Sequence, residues 1–422
     1  MSLRASFLSL IGVGLSLGSV AAQPGLEWPG FRGPNGFGVG TAKNLPVKWD
    51  ATENLVWKMA LPGAGTSSPV IHGDKIFLTS YSGYNVPGQD RGEQDRLRLH
   101  VHCLDRATGE IRWTKNVAPK LPEQPKIRDE HGYASSTPAI DADRLYVFFG
   151  KSGVHAFSHA GDHLWTADVG SKLHDWGSAI SPVLVGDLVV INASVESDQI
   201  VALDRKTGKE VWRIPGIRES WNTPIVQTID GKTEIVVAML RKVLGIDPAK
   251  GTIRWTCDTG IDWYMVPGMV AKDGVVYCIG GRSGGALAVR GGGTGDVTAD
   301  RRLWTGKKGS NVSSLLLHDG HLYWMNDKNE TAYCADAKSG EIVYEERIPR
   351  IGEVYASPVL ADGKIYYLSR NGRVAVVAAK PKFELLALND FGDRSAFNSS
   401  PAIAGDRIFI RSNRFLYCLG AK

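Results

Sequence analysis

Cysteine is scarce in this chain of 422 residues, and its five cysteines are an odd number, which argues against a framework of disulfides. No C-x-x-C pair occurs, so a zinc ribbon, a thioredoxin-type site and a covalently attached haem are excluded. The 49 basic and 44 acidic residues are spread along the chain without a basic tail, and we expect no nucleic-acid partner. Glycine is abundant, with 49 residues, and the composition is 43% apolar, which excludes disorder, collagen and coiled coil.

The first 22 residues differ from the rest of the chain. Arg4 is followed by an apolar run over residues 5–20 and by small residues before Gln23. This order is typical of a signal peptide, and the run of about 16 residues is shorter than the roughly 20 that span a bilayer. We therefore expect an exported protein, periplasmic or extracellular, with no transmembrane segment in the mature chain.

A short apolar strand that opens with Ser-Pro or Thr-Pro recurs along the chain, mostly every 42 to 44 residues. Repeats of this length are typical of propellers and solenoids. Seven openings carry proline, and Ser313-Ser314 fills the slot that lacks it, so eight units are predicted. The seven are Ser68-Pro69, Thr137-Pro138, Ser181-Pro182, Thr223-Pro224, Val266-Pro267, Ser357-Pro358 and Ser400-Pro401.

Each unit contains four strand-like segments. A turn with Gly or Asp follows the first strand, as a tight hairpin requires, and β-branched and aromatic runs follow the turn. The third strand leads into a Thr-Gly turn and a Trp, as in residues 103–113, 202–212 and 245–255. Four strands at this period predict an all-β fold, an eight-bladed β-propeller of four-stranded antiparallel blades.

The two ends of the chain are predicted to share the last blade. The eighth unit runs out after its third strand, at Leu419, and residues 54–59 resemble a fourth strand without a unit of its own. Trp57 lies 12 residues before Pro69, the same gap that separates Trp212 from Pro224. Such a strand closes the ring and removes open sheet edges. The predicted organisation is a signal peptide at 1–22, an N-terminal extension at 23–56 and the propeller at 57–422.

The pattern A-x-D-x-x-T-G-x-x-x-W resembles the tryptophan-docking repeat of the pyrroloquinoline-quinone (PQQ) β-propeller superfamily, whose blades are similar to WD40 repeats. The resemblance covers the chain from Trp57 to the C-terminus. It implies that the outer-strand tryptophans pack over the small residue and Thr-Gly turn of the neighbouring blade. The tryptophans to which this structural role is assigned are Trp57, Trp113, Trp165, Trp212, Trp255 and Trp304.

The superfamily contains quinoprotein dehydrogenases, with PQQ and calcium at the axis, and the non-enzymatic periplasmic assembly subunit BamB. Residues 28–34 also resemble the opening of exported bacterial PQQ-like propellers. The dehydrogenases commonly carry two adjacent cysteines beside the quinone, which this chain lacks. The resemblance therefore favours a monomeric, non-catalytic scaffold that binds a small polar ligand or an envelope protein. A BamB-like outer-membrane assembly factor and a PQQ- and calcium-dependent alcohol or sugar dehydrogenase are the alternatives.

An ionisable residue followed closely by an aromatic precedes most of the inner strands. In a propeller these loops surround the channel mouth, where ligands bind. Aromatic faces stack on flat ligands, while Arg and His hold carboxylates or hydroxyls; the alternative is that the aromatics only pack between blades. In the dehydrogenase alternative, Asp175, Asp262 or Glu353 would be the proton acceptor. The candidates are Arg128, His131, Tyr133, His174, Asp175, Trp176, Arg218, Glu219, Trp221, Asp262, Trp263, Tyr264, Glu353, Tyr355, Arg394 and Phe397.

Two insertions, residues 81–96 and 119–130, are predicted on the same face as these loops.

Other motifs carry no site. His100 and His102 share one face of a strand without a third metal ligand, and the glycine-rich residues 291–296 lack the Lys-Ser/Thr of a phosphate loop. We predict no metal site.

Overall fold

A computed structural model describes residues 26–128, 130–282 and 284–421. The predicted signal peptide lies outside the described residues. The short strands follow from local chemistry: in Lys364–Leu368 the β-branched and aromatic side chains favour extended backbone, and the turn before it holds Asp362 and Gly363 at φ of 54° and 66°. Within the described part of the chain, no helix is long and apolar enough to cross a membrane.

Eight sheets, each built on four antiparallel strands, make up the fold, which confirms the predicted eight-bladed propeller. Two of the sheets carry a fifth strand, Leu26–Trp28 in blade 1 and Gly295–Asp296 in blade 4. Blade 1 comprises Val70–His72, Lys75–Ser82, Arg98–Asp105 and Ile111–Val117, and blade 2 comprises Ala139–Ile140, Arg144–Phe148, Val154–Ser158 and His163–Ala167. Blade 3 comprises Val183–Val185, Leu188–Ala193, Gln199–Asp204 and Glu210–Pro215, and blade 4 comprises Ile225–Ile229, Lys232–Met239, Lys242–Asp247 and Thr252–Asp258. Blade 5 comprises Val270–Lys272, Val275–Gly280, Gly285–Arg290 and Arg302–Gly306, and blade 6 comprises Leu316–His318, His321–Met325, Thr331–Asp336 and Ile342–Arg347. Blade 7 comprises Val359–Ala361, Lys364–Leu368, Arg373–Ala378 and Leu385–Asp390, and blade 8 comprises Ala402–Ala404, Arg407–Arg411, Phe415–Leu419 and Leu55–Ala60. The short helices are Pro34–Gly36, Gln94–Arg96, Gly150–Ser152, Ser194–Ser197 and Thr298–Arg301.

Blade 8 is built from both ends of the chain. Leu55–Ala60 pairs antiparallel with Phe415–Leu419 and places Trp57 opposite Cys418. The predicted closure by an N-terminal strand is therefore confirmed. All five cysteines of the sequence are buried and free, in agreement with the absence of a disulfide framework.

Hydroxyl groups near the axis tie neighbouring blades together. In six of the eight blades, the residue two positions before the inner strand donates its backbone N–H to the Ser or Thr hydroxyl at the same position in the next blade. The bonds run from Ser68 to Thr137 at 2.9 Å, Thr137 to Ser181 at 3.1 Å, Ser181 to Thr223 at 3.1 Å, Gly268 to Ser314 at 2.8 Å, Ser357 to Ser400 at 2.9 Å and Ser400 to Ser68 at 3.1 Å. Since these buried N–H groups would otherwise lack partners, the hydroxyl residues of the repeat have a structural role.

In blade 5 the sequence repeat predicts the start of the inner strand two residues too early. The inner strand begins at Val270, so the axial position belongs to Gly268 rather than to the predicted Val266. A Cβ at Gly268 would lie 3.1 Å from Nη1 of Arg32. The missing side chain thus makes room for an arginine from the N-terminal extension, which sequence spacing alone does not indicate.

Residues 26–40 cover one end of the channel. Leu26–Trp28 adds an innermost strand to blade 1 by pairing with Val70–His72. Further along, Gly40 donates its N–H to the carbonyl of Leu360 in blade 7 at 2.8 Å. These contacts lie near the turns between first and second strands, so the segment plugs the end of the channel opposite the predicted mouth.

Five of the outer-strand tryptophans dock on the next blade. Each Nε1 donates to a backbone carbonyl there: Trp57 to Arg106 at 3.2 Å, Trp113 to His159 at 3.2 Å, Trp165 to Arg205 at 3.1 Å, Trp212 to Pro248 at 2.8 Å and Trp304 to Ala337 at 3.0 Å. The rings cover glycines of positive φ; at Gly251, for example, a Cβ would lie 2.5 Å from the indole of Trp212. Glycine is therefore required by both the turn and the contact.

Trp255 is arranged differently from the other five. Its Nε1 donates to Oε2 of Glu234 in its own blade at 3.0 Å. Residues 291–301 replace the ordinary turn of blade 5, and Gly295–Asp296 pairs in parallel with Trp255 and Thr256. The inserted segment thus occupies the docking surface, and the indole turns into blade 4.

We expect Trp212→Ala to lower the free energy of unfolding by about 3–5 kcal/mol, because the variant leaves a cavity between blades 3 and 4. Its neighbour Val211 is 52% exposed, and Val211→Ala should change stability by less than about 0.5 kcal/mol. Urea unfolding of both variants measures the difference. Equal effects of the two substitutions would contradict the docking role.

Candidate functional site

The two insertions form one structure on the mouth face. The Gln94 side chain bonds the backbone of Glu123, with its Nε2 2.8 Å from the carbonyl and its Oε1 3.1 Å from the N–H. The hydroxyl of Tyr84 donates to the carbonyl of Pro125 at 3.2 Å. Blade 1 therefore supports the loop that connects it to blade 2.

This loop reaches over the channel mouth. Glu130 pairs with Arg370 of blade 7 at 3.3 Å, and Arg370 also pairs with Glu353 at 2.9 Å and stacks 4.5 Å from the ring centre of Tyr355. At the other side, the guanidinium of Arg128 lies 3.8 Å from the ring centre of Trp176, which precedes blade 3. The loop therefore connects widely separated blades across the mouth.

Four aromatic side chains from three consecutive loops meet beside this loop, and we call them the mouth cluster: Trp176, Trp221, Trp263 and Tyr264. Tyr264 is central, with ring centres 5.7 Å from Trp176, 5.7 Å from Trp221 and 5.1 Å from Trp263. Its hydroxyl accepts a hydrogen bond from Nδ2 of Asn311 at 3.3 Å. Trp221 is buried and donates to the carbonyl of Gly177 at 2.9 Å, whereas the other three rings are partly exposed.

Two histidines pack against the mouth cluster. His131 lies edge-on to Trp176 with ring centres 6.2 Å apart, and His174 lies edge-on to Trp221 at 5.0 Å. Burial lowers the pKa of His131 to about 4, against the opposing effect of Glu130. His131 is therefore neutral at pH 7, and the positive charge of this region comes from the arginines.

The other candidates are distributed differently. Asp175 accepts a hydrogen bond from Gln124, and Asp262 pairs with Arg241 at 3.2 Å. Arg218, Glu219 and Arg394 are exposed, and the structure does not bring them into the mouth cluster.

Two aromatic candidates have packing roles. Tyr133 is buried edge-on to Tyr81 at 5.3 Å, and its hydroxyl donates to the carbonyl of Gln124 at 2.7 Å. Phe397 is fully buried against Phe391 and Tyr417 in the core of blade 8. Both rings are buried, and the contacts that the structure shows for them are packing contacts.

The sequence does not predict two buried carboxyl groups at this loop, one on the loop itself and one in blade 3. Glu123 and Glu196 line a cavity of about 40 Å³ between the loop and blades 2 and 3. Glu196 accepts a hydrogen bond from Ser178, its Oε2 has no partner among the described residues, and burial raises its pKa to about 7. Burial also raises the pKa of Glu123. Neither acid belongs to a recurring pattern, so the sequence carries no signal for them.

Comparison with known proteins settles the family. A family model described as outer membrane protein assembly factor BamB matches residues 98–346, more than half of the chain. The chain belongs to this family. It is 23% identical to BamB of Moranella endobia over 58% of this chain and 55% of that protein. It is 22% identical to BamB of Salmonella typhimurium over 58% of this chain and 64% of that protein. The chain therefore matches about half to two thirds of the length of these two relatives.

Solved structures share the fold. BamB from Moraxella catarrhalis superimposes with a TM-score of 0.62 at 16% identity, covering 87% of this chain and 97% of that structure. A europium-containing methanol dehydrogenase superimposes with a TM-score of 0.69 at 11% identity, covering 94% and 98%. The propeller fold thus occurs in both an assembly factor and an enzyme, and the fold does not distinguish them.

The mouth residues do not fit PQQ with a calcium ion. Among the described residues, no three His, Cys, Asp or Glu side chains are placed to share a metal ion. The guanidinium of Arg128 covers a face of Trp176, and Trp221 is buried edge-on to Tyr264. Asp262 and Glu353 are paired with arginines. We therefore derive no reaction through this cofactor.

We expect the free energy of unfolding to fall as pH rises from 4.5 to about 7, because of the raised pKa of Glu196. The unfolded chain releases this proton near pH 4.5 and the folded protein near pH 7, so between these values the folded state holds an extra proton. Wild type should lose about 3 kcal/mol relative to Glu196→Gln between pH 4.5 and 7.5. Urea unfolding of both proteins across this range measures the difference, since all other titrations are shared. Parallel pH profiles would show that Glu196 titrates normally.

Proposed function

We propose that this chain is a non-catalytic binding protein of the bacterial envelope and that the mouth cluster contacts a protein partner. The observation that carries the proposal is the convergence of partly exposed Trp176, Trp263 and Tyr264 beside arginine side chains. Trp, Tyr and Arg are the residues that contribute most to protein interfaces, because they bury large areas and still donate hydrogen bonds.

The charges around the mouth cluster indicate the chemistry of the partner. Arg128 lies over Trp176, and Arg282 lies 5.5 Å from the ring centre of Trp263. The proposed partner presents a segment with apolar or aromatic side chains and neighbouring carboxylates, which these groups complement.

The family supports a protein rather than a small molecule as the partner. Its relatives are named as outer membrane protein assembly factors, and we propose an envelope protein as the ligand of this chain. Export through residues 1–22, an N-terminal extension at 23–56, a propeller at 57–422 and a monomeric state belong to the same proposal. Among the described residues no contact favours the dehydrogenase alternative, because the acids considered as proton acceptors for it have partners of their own.

We expect the double variant Trp176→Ala, Trp263→Ala to bind its partner about 30-fold more weakly than wild type, since two exposed rings leave the interface. The partner is first captured from an envelope extract, identified, purified and titrated by surface plasmon resonance. Phe383→Ala is the matched control, because this ring is partly exposed at an outer turn of blade 7 and packs only against Tyr344 among the described aromatic rings.

Two outcomes would overturn the proposal. One is equal affinity of wild type and the double variant for the purified partner. The other is dye-linked oxidation of alcohols or sugars by protein supplied with PQQ and calcium, which would establish the dehydrogenase alternative. Unfolding midpoints of all variants, measured in parallel, separate loss of binding from loss of structure.

A further inference from the structure

A cavity of about 60 Å³ lies between blades 5 and 6. Tyr277, Ile279 and Ala286 of blade 5 and Leu322 and Trp324 of blade 6 are among its lining residues, and all five are buried. Apart from two lysines, every side chain that lines the cavity is aliphatic, aromatic or a cysteine. The cavity is therefore an apolar space within the wall of the propeller, and no residue of the mouth cluster lines it.

A missing side chain accounts for this space. Gly306 lies two positions after the docking residue Trp304 and opposite Ala286 in the sheet. In blade 3 the same position is occupied by Ile214, which lies opposite Ile200 and is buried in the core between blades 3 and 4. Outside its own chain neighbours, a Cβ at Gly306 would meet only the Cβ of Ala286, at an ordinary contact distance of 3.5 Å. Blade 5 thus leaves open a space that an aliphatic side chain fills in blade 3.

The cavity opens on the outer wall of the propeller. Ile342, which lines it, is 39% exposed, and the two outer strands that flank the opening also expose Leu303 at 46% and Val343 at 42%. A cavity of about 150 Å³ holds a benzene ring, so this smaller one fits a branched aliphatic group rather than a ring. Apolar surface beside such an opening is typical of a contact with another protein, because a small free ligand leaves it in water.

One positive charge lies beside the opening without an opposite charge. Lys307 directly follows Gly306, lines the cavity and is exposed, and it forms no ion pair among the described residues. Lys308, the other lysine of the lining, is paired with Glu345 at 3.0 Å. A carboxylate next to the inserted apolar group would complement Lys307.

We propose that this cavity receives a leucine- or valine-type side chain from an acidic segment of a partner protein, with a carboxylate of that segment beside Lys307. Burial of the aliphatic group supplies most of the affinity, and the exposed charge pair contributes little of it but fixes the orientation of the segment. The proposal does not depend on the mouth cluster, because the two sites share no residue.

Peptide titrations followed by methyl NMR test the proposal. Ile279 and Ile342 both line the cavity, so their methyl signals report on its contents. We expect acetyl-Leu-Asp-amide to shift both signals saturably, with a Kd in the millimolar range. Acetyl-Ala-Asp-amide should bind about 30-fold more weakly, because its side chain lacks the branched carbon atoms that the cavity buries. Acetyl-Leu-Asn-amide should bind about 3-fold more weakly, because it lacks the charge beside Lys307.

Gly306→Val is the decisive variant, because it fills the cavity from within the chain. The backbone of Gly306 does not have a positive φ, so a side chain is tolerated there. We expect this variant to lose the response to acetyl-Leu-Asp-amide and to keep or raise the unfolding midpoint, since a strand glycine and a cavity are both removed. Thr305→Val, at the exposed neighbouring position, is the matched control and should bind as wild type does. Lys307→Gln should bind the two leucine peptides equally.

Xenon pressurisation of a crystal tests the space itself, even if Gly306→Val fails to fold. Density for xenon should appear between blades 5 and 6 of the wild type and be absent from Gly306→Val. The proposal is overturned by an empty site under xenon, by signals of Ile279 and Ile342 that do not respond to the leucine peptide, by equal affinities for the leucine and alanine peptides, or by unchanged binding in folded Gly306→Val.

Discussion

The pairing of Leu55–Ala60 with Phe415–Leu419 is the constraint on which the rest of the structure depends. A propeller blade buries its faces only against neighbouring blades, so the ring is stable when the first and last blades meet. The N-terminal segment runs from Leu26–Trp28, the innermost strand of blade 1, outward to Leu55–Ala60 in blade 8. On this path it plugs one end of the channel, buries Trp28 and places Arg32 at Gly268.

The two ends of the channel are covered by different means. The N-terminal segment joins inner strands by backbone hydrogen bonds, whereas the loop at the mouth is held by side chains, including the Glu130–Arg370 ion pair. Exposed ion pairs contribute little to stability, while strand pairing is cooperative with the whole sheet. The mouth is therefore the end at which side chains can rearrange without disturbing the ring.

The sequence identified the loops that form the candidate site but not which of their side chains meet. The aromatic residues before blades 3, 4 and 5 do converge, because adjacent loops are spaced by one blade, whereas Arg218 and Glu219 stay outside the mouth cluster. Phe397 follows the same pattern and nevertheless lies in the core of blade 8, since Phe391 and Tyr417 offer it an apolar surface. Glu196 carries no local signal, because its raised pKa arises from burial by distant segments.

By itself, the sequence determined the number of blades, their strand order, the closing strand and the tryptophans available for docking. These features repeat, and they depend on turns and strand propensities within each unit. The tertiary structure alone decided the inward turn of Trp255, the axial place of Gly268 and the meeting of the mouth cluster. Each of these depends on contacts between segments that are far apart in the chain, and no local periodicity encodes such contacts.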